Sequence, residues 1–224
     1  MRVEVPRAWP ETVEEAVAVQ NQLRPLVSTT TPDGLVVRTA AGLDVAYASG
    51  SDRLVAAVVV LDVSDFRIVD SVVVHGEARF PYVPGLFAFR ELPALVEALR
   101  RLTVVPDMLV CDGQGIAHPR RFGLACHVGV LTGLPTVGVA KTPLGHYELP
   151  GGRRGDTTQL VDGSDVVGSA LRTQPDVKPV FVSVGHRIDL ERACAETLRL
   201  APRYRLPETT RAADHLCRHA LASS

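Results

Sequence analysis

The chain has 224 residues, of which 46% are hydrophobic and 22% charged, with a formal net charge of −1. That length suits one α/β core, and the charge balance excludes a uniformly basic nucleic-acid binder, so any polyanion site must be local. No apolar run is long enough to span a bilayer, and the acids and prolines of MRVEVPRAWPETVEEAV interrupt the apolar core a signal peptide needs. Cys111, Cys126, Cys194 and Cys217 show no paired spacing; Cys111 lies in a strand-like run and the others on apolar helical faces. They read as reduced, mostly buried thiols of a cytoplasmic protein, not as a disulfide or zinc framework.

A helix is expected over 10–26, where Val13, Ala16, Val17, Val19 and Leu23 recur at helical spacing and Glu11, Glu14 and Glu15 lie near the start. A turn follows at 29–34. Three β-rich runs, 36–48, 53–62 and 67–75, are separated by short polar or glycine turns and predict an antiparallel meander. Residues 80–89 form a proline-bounded loop leading into a helix that ends near Arg101, with Pro93 in an early turn or at a kink. A strand at 108–111, a helix at 123–133 and a strand at 135–140 predict parallel pairing. The segment 142–157 is loop-rich, and 159–172 reads as a hairpin over Asp162-Gly163. A strand at 179–184 and helices at 189–200 and 209–222 complete the pattern. No repeat, low-complexity tract or domain boundary interrupts it, so one domain over 1–224 is expected.

The most informative stretch is VCDGQGIAHPRR, residues 110–121. The run Met108-Leu109-Val110-Cys111 stops at Asp112, and Gly113, Gly115, His118, Arg120 and Arg121 follow. A buried strand running into a glycine loop places these groups where open α/β sheets hold ligands. A metal-binding acid beside a phosphate-binding surface is the natural reading. Asp44 sits in the apolar run AAGLDVAYAS, where a charge is costly unless paired or bound to a metal. Strand alternation puts Asp44 and Ala46 on one face and Leu43 and Val45 on the other. Glu91 lies where the loop enters a helix, and Asp214 on the final helix. Two acids on neighbouring strands and a third on a helix over the sheet edge can converge on one Mg²⁺. A second ion about 4 Å away would clamp both oxygens of a phosphodiester exchange. Taken singly, each acid could equally be a salt bridge or a helix cap; joint placement favours the metal.

FPYVPGLFAFRE (80–91) and VCDGQGIAHPRRFGLACHVGV (110–130) resemble the endonuclease V family, nucleases specific for deoxyinosine. The likeness continues through GLDVAY (42–47), LPTVGVAK (134–141), VSVGHRIDL (182–190) and RYRLPETTRAAD (203–214), in the family's order over nearly the whole chain. It implies a ribonuclease-H-like α/β fold, which a meander followed by helices interleaved with parallel strands would fit. It also implies Mg²⁺-dependent hydrolysis of the second phosphodiester 3′ to a deaminated purine, leaving 3′-OH and 5′-phosphate. By position, Asp44, Glu91 and Asp112 would be the metal-binding acids, Asp112 being shared if two ions bind. Asp214 would be the last active-site residue, as direct ligand or outer-shell group. The nucleophile would be a metal-activated water, since no Ser, Cys or Tyr has an obvious partner base. His118 could orient water or donate a proton, and Lys141 could stabilise phosphate charge in the transition state. Without the motif, His118 reads as a loop histidine bonded to backbone and Lys141 as a solvated strand-end lysine.

Pro81 and Pro84 flank Tyr82, and Gly85 permits a sharp turn, which suits an exposed aromatic tip that unstacks a base step. The resemblance implies a wedge there; the alternative is a tyrosine packed on the following helix. A flipped base can be read on its edges and by exclusion, and the resemblance assigns Gly85, Gly113 and Gly115 to this pocket, with Gly138 and Leu144 as further candidates. Arg120, Arg121 and Arg211 are the expected phosphate contacts, whereas Arg153 and Arg154 in GGRRGD read as solubilising. The implied partner is deoxyinosine-containing DNA, with no membrane partner. Inosine-containing RNA stays open because no residue must reject a 2′-hydroxyl. A non-catalytic binding relative would be expected to lose an acid, and all four are present. Mn²⁺ could replace Mg²⁺. No long exposed apolar helix suggests a partner subunit, so a monomer is expected.

Overall fold

The computed structural model describes residues 1–223. Helix α1 (Val13–Leu23) begins with a capping box: the Thr12 side chain accepts from Glu15 N–H, and the Glu15 carboxylate accepts from Thr12 N–H. A 3₁₀ turn, Arg24–Leu26, extends it. Strands β1 (Thr39–Tyr47), β2 (Arg53–Asp62) and β3 (Ile68–Glu77) form the expected meander, both pairings antiparallel. Helix α2 (Ala88–Arg101) carries Pro93 in its second turn. Strand β4 (Met108–Cys111), helix α3 (Leu124–Thr132) and strand β5 (Thr136–Ala140) form the strand-helix-strand unit, and β4 and β5 are parallel. Glycines bound α3 on both sides, Gly123 before it and Gly133 in the left-handed conformation after it.

The rest departs in part from expectation. A two-residue strand, β6 (His146–Tyr147), lies inside the segment read as loop; so short an exposed strand carries no period to detect. The hairpin β7 (Thr157–Asp162) and β8 (Asp165–Leu171) turns where expected. Strand β9 (Val180–His186) runs antiparallel to β5, so among the described residues the parallel set is β1, β4 and β5. Helices α4 (Leu190–Leu200) and α5 (Glu208–Ala222) close the chain.

The nine strands among the described residues join one mixed sheet in the order β3-β2-β1-β4-β5-β9-β8-β7-β6. Alternate residues of β1 serve opposite layers. Ala41 and Leu43 enter the core shared with α2 and α3, while Ala46 packs with Cys217 and Leu216 of α5. Gly42 is the contact point for α5: a Cβ there would stand 2.0 Å from the Thr209 carbonyl oxygen. Only glycine lets the first turn of α5 lie on β1, and that approach carries Asp214 and Cys217 toward Asp44. Among the described residues, no helix is long and apolar enough to cross a membrane.

Candidate active site

The site lies at the carboxyl ends of β1 and β4. Leu43 and Cys111 are register partners in this parallel pair, so Asp44, inside β1, lies beside Asp112, the first residue past β4. Glu91, in the first turn of α2, is 7% exposed and close enough to both for their charges to act on it. Asp214 reaches the same region from α5 and adds its charge to that felt by Asp44. The four acids assembled from the sequence are thus brought together from four elements.

Burial and mutual repulsion decide the electrostatics. Desolvation, then the charges of Asp112 and Asp214, push the Asp44 carboxyl up to about 7. Desolvation, then Asp44 and Asp112, push Glu91 up to about 8. Protein groups offset part of this charge. Lys141 Nζ donates to Asp112 Oδ2, and burial, which opposes its charge, is outweighed by that bond and the surrounding carboxylates, so its pKa is raised. Arg218 Nε donates to Asp214 Oδ1 at 2.7 Å, and Cys217 Sγ donates to Asp44 Oδ2 at 3.6 Å. No three His, Cys, Asp or Glu side chains among the described residues are arranged around a metal position. The donor set nevertheless fits a hard divalent cation, being all carboxylate and short of positive charge.

Beside the acids opens a cavity of about 450 Å³, within the usual range for small-molecule and base pockets. Pro84, Gly85, Gly113, His118, Arg120 and Leu144 line it, together with Glu91 and Asp112. Gly115 and Gly138, expected to line it as well, instead support it from beneath. A Cβ on Gly115 would meet the Val184 carbonyl at 1.9 Å, and one on Gly138 would meet Gly113 O and Gly115 N at 2.6 Å. Both are small because backbone packs on backbone there. Pro81 and Tyr82 form the exposed tip of the preceding loop; Tyr82 is 71% exposed, its ring edge-on to Phe87 with centroids 5.9 Å apart. The tyrosine therefore neighbours the following helix without being buried on it.

His118 is 8% exposed, and both ring nitrogens are engaged: Nε2 bonds the Gly85 carbonyl at 2.9 Å, and Nδ1 accepts from Arg120 N–H at 3.2 Å. Burial and then Arg120 lower its pKa to about 4. It is a neutral strut between two loops at ordinary pH, not a free acid. Arg121, expected to contact phosphate, is held by protein groups in this structure. Its guanidinium bonds Asp162 at 2.7 Å and Asp165 at 3.1 Å on the β7–β8 hairpin. Arg120 is also committed, with Nε on Gln20 Oε1 and Nη2 on the Gly85 carbonyl, both at 2.5 Å. Arg211 lies 3.3 Å above the Tyr204 ring and pairs with Glu208 at 3.8 Å, in a groove bordered by Val59 and Leu61 rather than by the acids. Arg120 and Arg121 have hydrogen-bonding partners within the protein, whereas Arg211 Nη1 is buried without one among the described residues, which is costly. Sequence reasoning missed Gln20 and Cys217. Gln20 had a detectable signal, since it follows Ala16 by four and Val17 by three residues and so falls on the apolar stripe of α1.

A family model described as Endonuclease V matches residues 21–215. The chain belongs to the endonuclease V family. Endonuclease V of Nocardia farcinica is 58% identical over 219 residues, covering 98% of this chain and 97% of the relative. The crystal structure of endonuclease V from Streptomyces avermitilis superposes with a TM-score of 0.92 at 55% identity, covering 100% of this chain and 99% of that one. The structure of Ciona intestinalis endonuclease V, in complex with a 24mer DNA containing an inosine followed by a ribo-adenosine, has a TM-score of 0.82 at 26% identity, covering 96% and 99%. The fold is accordingly the ribonuclease-H-like mixed sheet expected from the sequence. As an endonuclease V, the chain is a phosphodiester hydrolase of a metal-dependent family.

Proposed function

We propose that this endonuclease V recognises deoxyinosine in DNA and hydrolyses the second phosphodiester 3′ to it, as a repair endonuclease. One observation carries the reading: two of the four clustered acids, Glu91 and Asp112, line a cavity that is also lined by Pro84 and Gly85, from the loop that bears the exposed Tyr82. The inosine-containing DNA bound by the Ciona relative supports the same substrate.

Asp44, Glu91 and Asp112 would hold Mg²⁺, with Asp214 beside them. A divalent cation held there would supply an activated water and charge neutralisation at the phosphate. The chain's own groups do the remaining work. Lys141 is placed to move from Asp112 to a phosphate oxygen as negative charge develops. Tyr82 unstacks the base step, and Gly85, Gly113 and Leu144 bound the space into which the base turns. Cleavage of matched oligonucleotides carrying one deoxyinosine, one inosine or neither, with Mg²⁺ or EDTA, tests this reading. The expected result is a Mg²⁺-dependent nick one nucleotide beyond deoxyinosine. Cutting confined to the inosine RNA would overturn the substrate assignment.

A further inference from the structure

Gln20 is 1% exposed, and every hydrogen-bonding position of its amide that can reach a neighbour is used. Nε2 donates to the Gly85 carbonyl at 3.1 Å and to the Phe122 carbonyl at 3.2 Å, and Oε1 accepts from Arg120 Nε at 2.5 Å. The Gly85 carbonyl therefore receives three donors, from Gln20, His118 and Arg120. Gly85 has φ +77°, a conformation that strains residues with a side chain, and a Cβ there would lie 2.8 Å from Arg120 Nη2 and displace that guanidinium. Gln20 is the member of this hub that belongs to neither loop. It ties α1 to the Tyr82 loop through Gly85 and to the glycine loop through Phe122.

We infer that Gln20 is a positioning residue that anchors the Tyr82 loop and the glycine loop together to α1, and so sets how efficiently the enzyme opens a duplex at the lesion. The inference rests on the proposed deoxyinosine activity. Each loop supplies one wall of the cavity, and no other residue of α1 hydrogen-bonds to both. Without Gln20, the Gly85 carbonyl keeps two donors but both come from the glycine loop, and the Phe122 carbonyl loses its side-chain partner. The loops would then move together rather than against a fixed helix. A duplex substrate needs the wedge at a set height because a base step must be unstacked. A single strand offers no such step, so it is much less sensitive to the wedge.

The test compares kcat/KM on one deoxyinosine placed in a duplex and in the same single strand, for wild type, Gln20→Met and Gln20→Glu. Met keeps the volume and removes all three bonds. Glu keeps the shape and the Arg120 bond but turns acceptors toward Gly85 and Phe122, which guards against a variant that does not fold. The duplex-to-single-strand ratio is expected to fall about tenfold in both, the worth of one or two buried hydrogen bonds. Loss of stability alone would lower both substrates together and leave the ratio unmoved. A folded variant with a ratio within twofold of wild type overturns the role of Gln20 while leaving the proposed function intact. Wild type that cuts neither substrate overturns the function and the inference with it.

Discussion

The acid end and the pocket end of this site share a wall but are built on opposite plans. At the pocket end, hydrogen bonds converge on one backbone group: the Gly85 carbonyl takes donors from three side chains. At the acid end, Asp44 and Glu91 are buried beside other carboxylates and raised to about 7 and about 8. Satisfied hydrogen bonds hold a shape, which a reader of base edges needs. Crowded charge holds an unmet demand for a cation, which a phosphodiester hydrolase needs. The fold stabilises one end and tolerates strain at the other, as expected where activity and stability compete.

The largest effect should come from the acid end. Asp112→Asn removes the carboxylate that sits between Lys141 and the other acids. Activity is expected to fall about a thousandfold or more, because charge stabilisation by a bound cation contributes several kcal/mol. Folding should be unharmed, and single-turnover cleavage with circular dichroism on the same sample checks both. A variant retaining a tenth of the activity would remove Asp112 from the site.

Stability against pH separates the two ends more sharply. Asp44 and Glu91 have pKa values raised above their unfolded values, so their contribution is present at low pH and lost as pH rises through about 7 and about 8. His118 and His127 have the opposite sign: lowered to about 4 and about 3, they cost stability only as pH falls below the ordinary histidine value of 6.5. Unfolded histidine still titrates near pH 6.5, so the acids set the sign of the slope above about pH 7 and through about 8. In chelator, Tm should fall across that window, and Glu91→Gln should flatten the fall by a few degrees, at about 2–4 °C per kcal/mol for a chain of this size. Added Mg²⁺ should raise the wild-type Tm by mass action and the variant's less. A wild-type Tm that rises with pH in chelator would contradict the charge strain.

Much of this contrast was legible in the sequence, and its limits have physical reasons. The acids were visible because a charge inside an apolar strand run, as at Asp44, has few explanations. The meander and the β4–α3–β5 unit were visible because alternation and glycine boundaries are local signals. The antiparallel entry of β9 was hidden because strand direction depends on where a connection lands. The fates of Arg120 and Arg121 were hidden for the same reason. Adjacent in sequence, they pair with Gln20 and with Asp162, 100 and 41 positions away.

At the pocket end, Tyr82→Ala should weaken lesion binding by about five- to a hundredfold, the range that removing an aromatic base-stacking platform costs. The cation-dependent gain in Tm should stay unchanged, because the exposed ring touches none of the acids. Equal loss of lesion and metal binding would count against the wedge.

The smallest expected effect distinguishes the two arginines. Arg121→Gln breaks ion pairs to the exposed Asp162 and Asp165, and such surface pairs contribute about 0–1 kcal/mol. Activity and the salt dependence of DNA binding should therefore change less than twofold, since a residue that contacts no phosphate releases no counterion. Arg120→Gln breaks bonds to Gln20 and to the Gly85 carbonyl, so it should lower duplex cleavage several-fold, again with no change in salt slope. The slope is the deciding measurement. If either substitution reduces it by about one, that guanidinium leaves its internal partners for a phosphate when DNA binds. For Arg120, such a departure would release the Gly85 carbonyl at the moment of binding, and the pocket end would be a latch rather than a fixed frame.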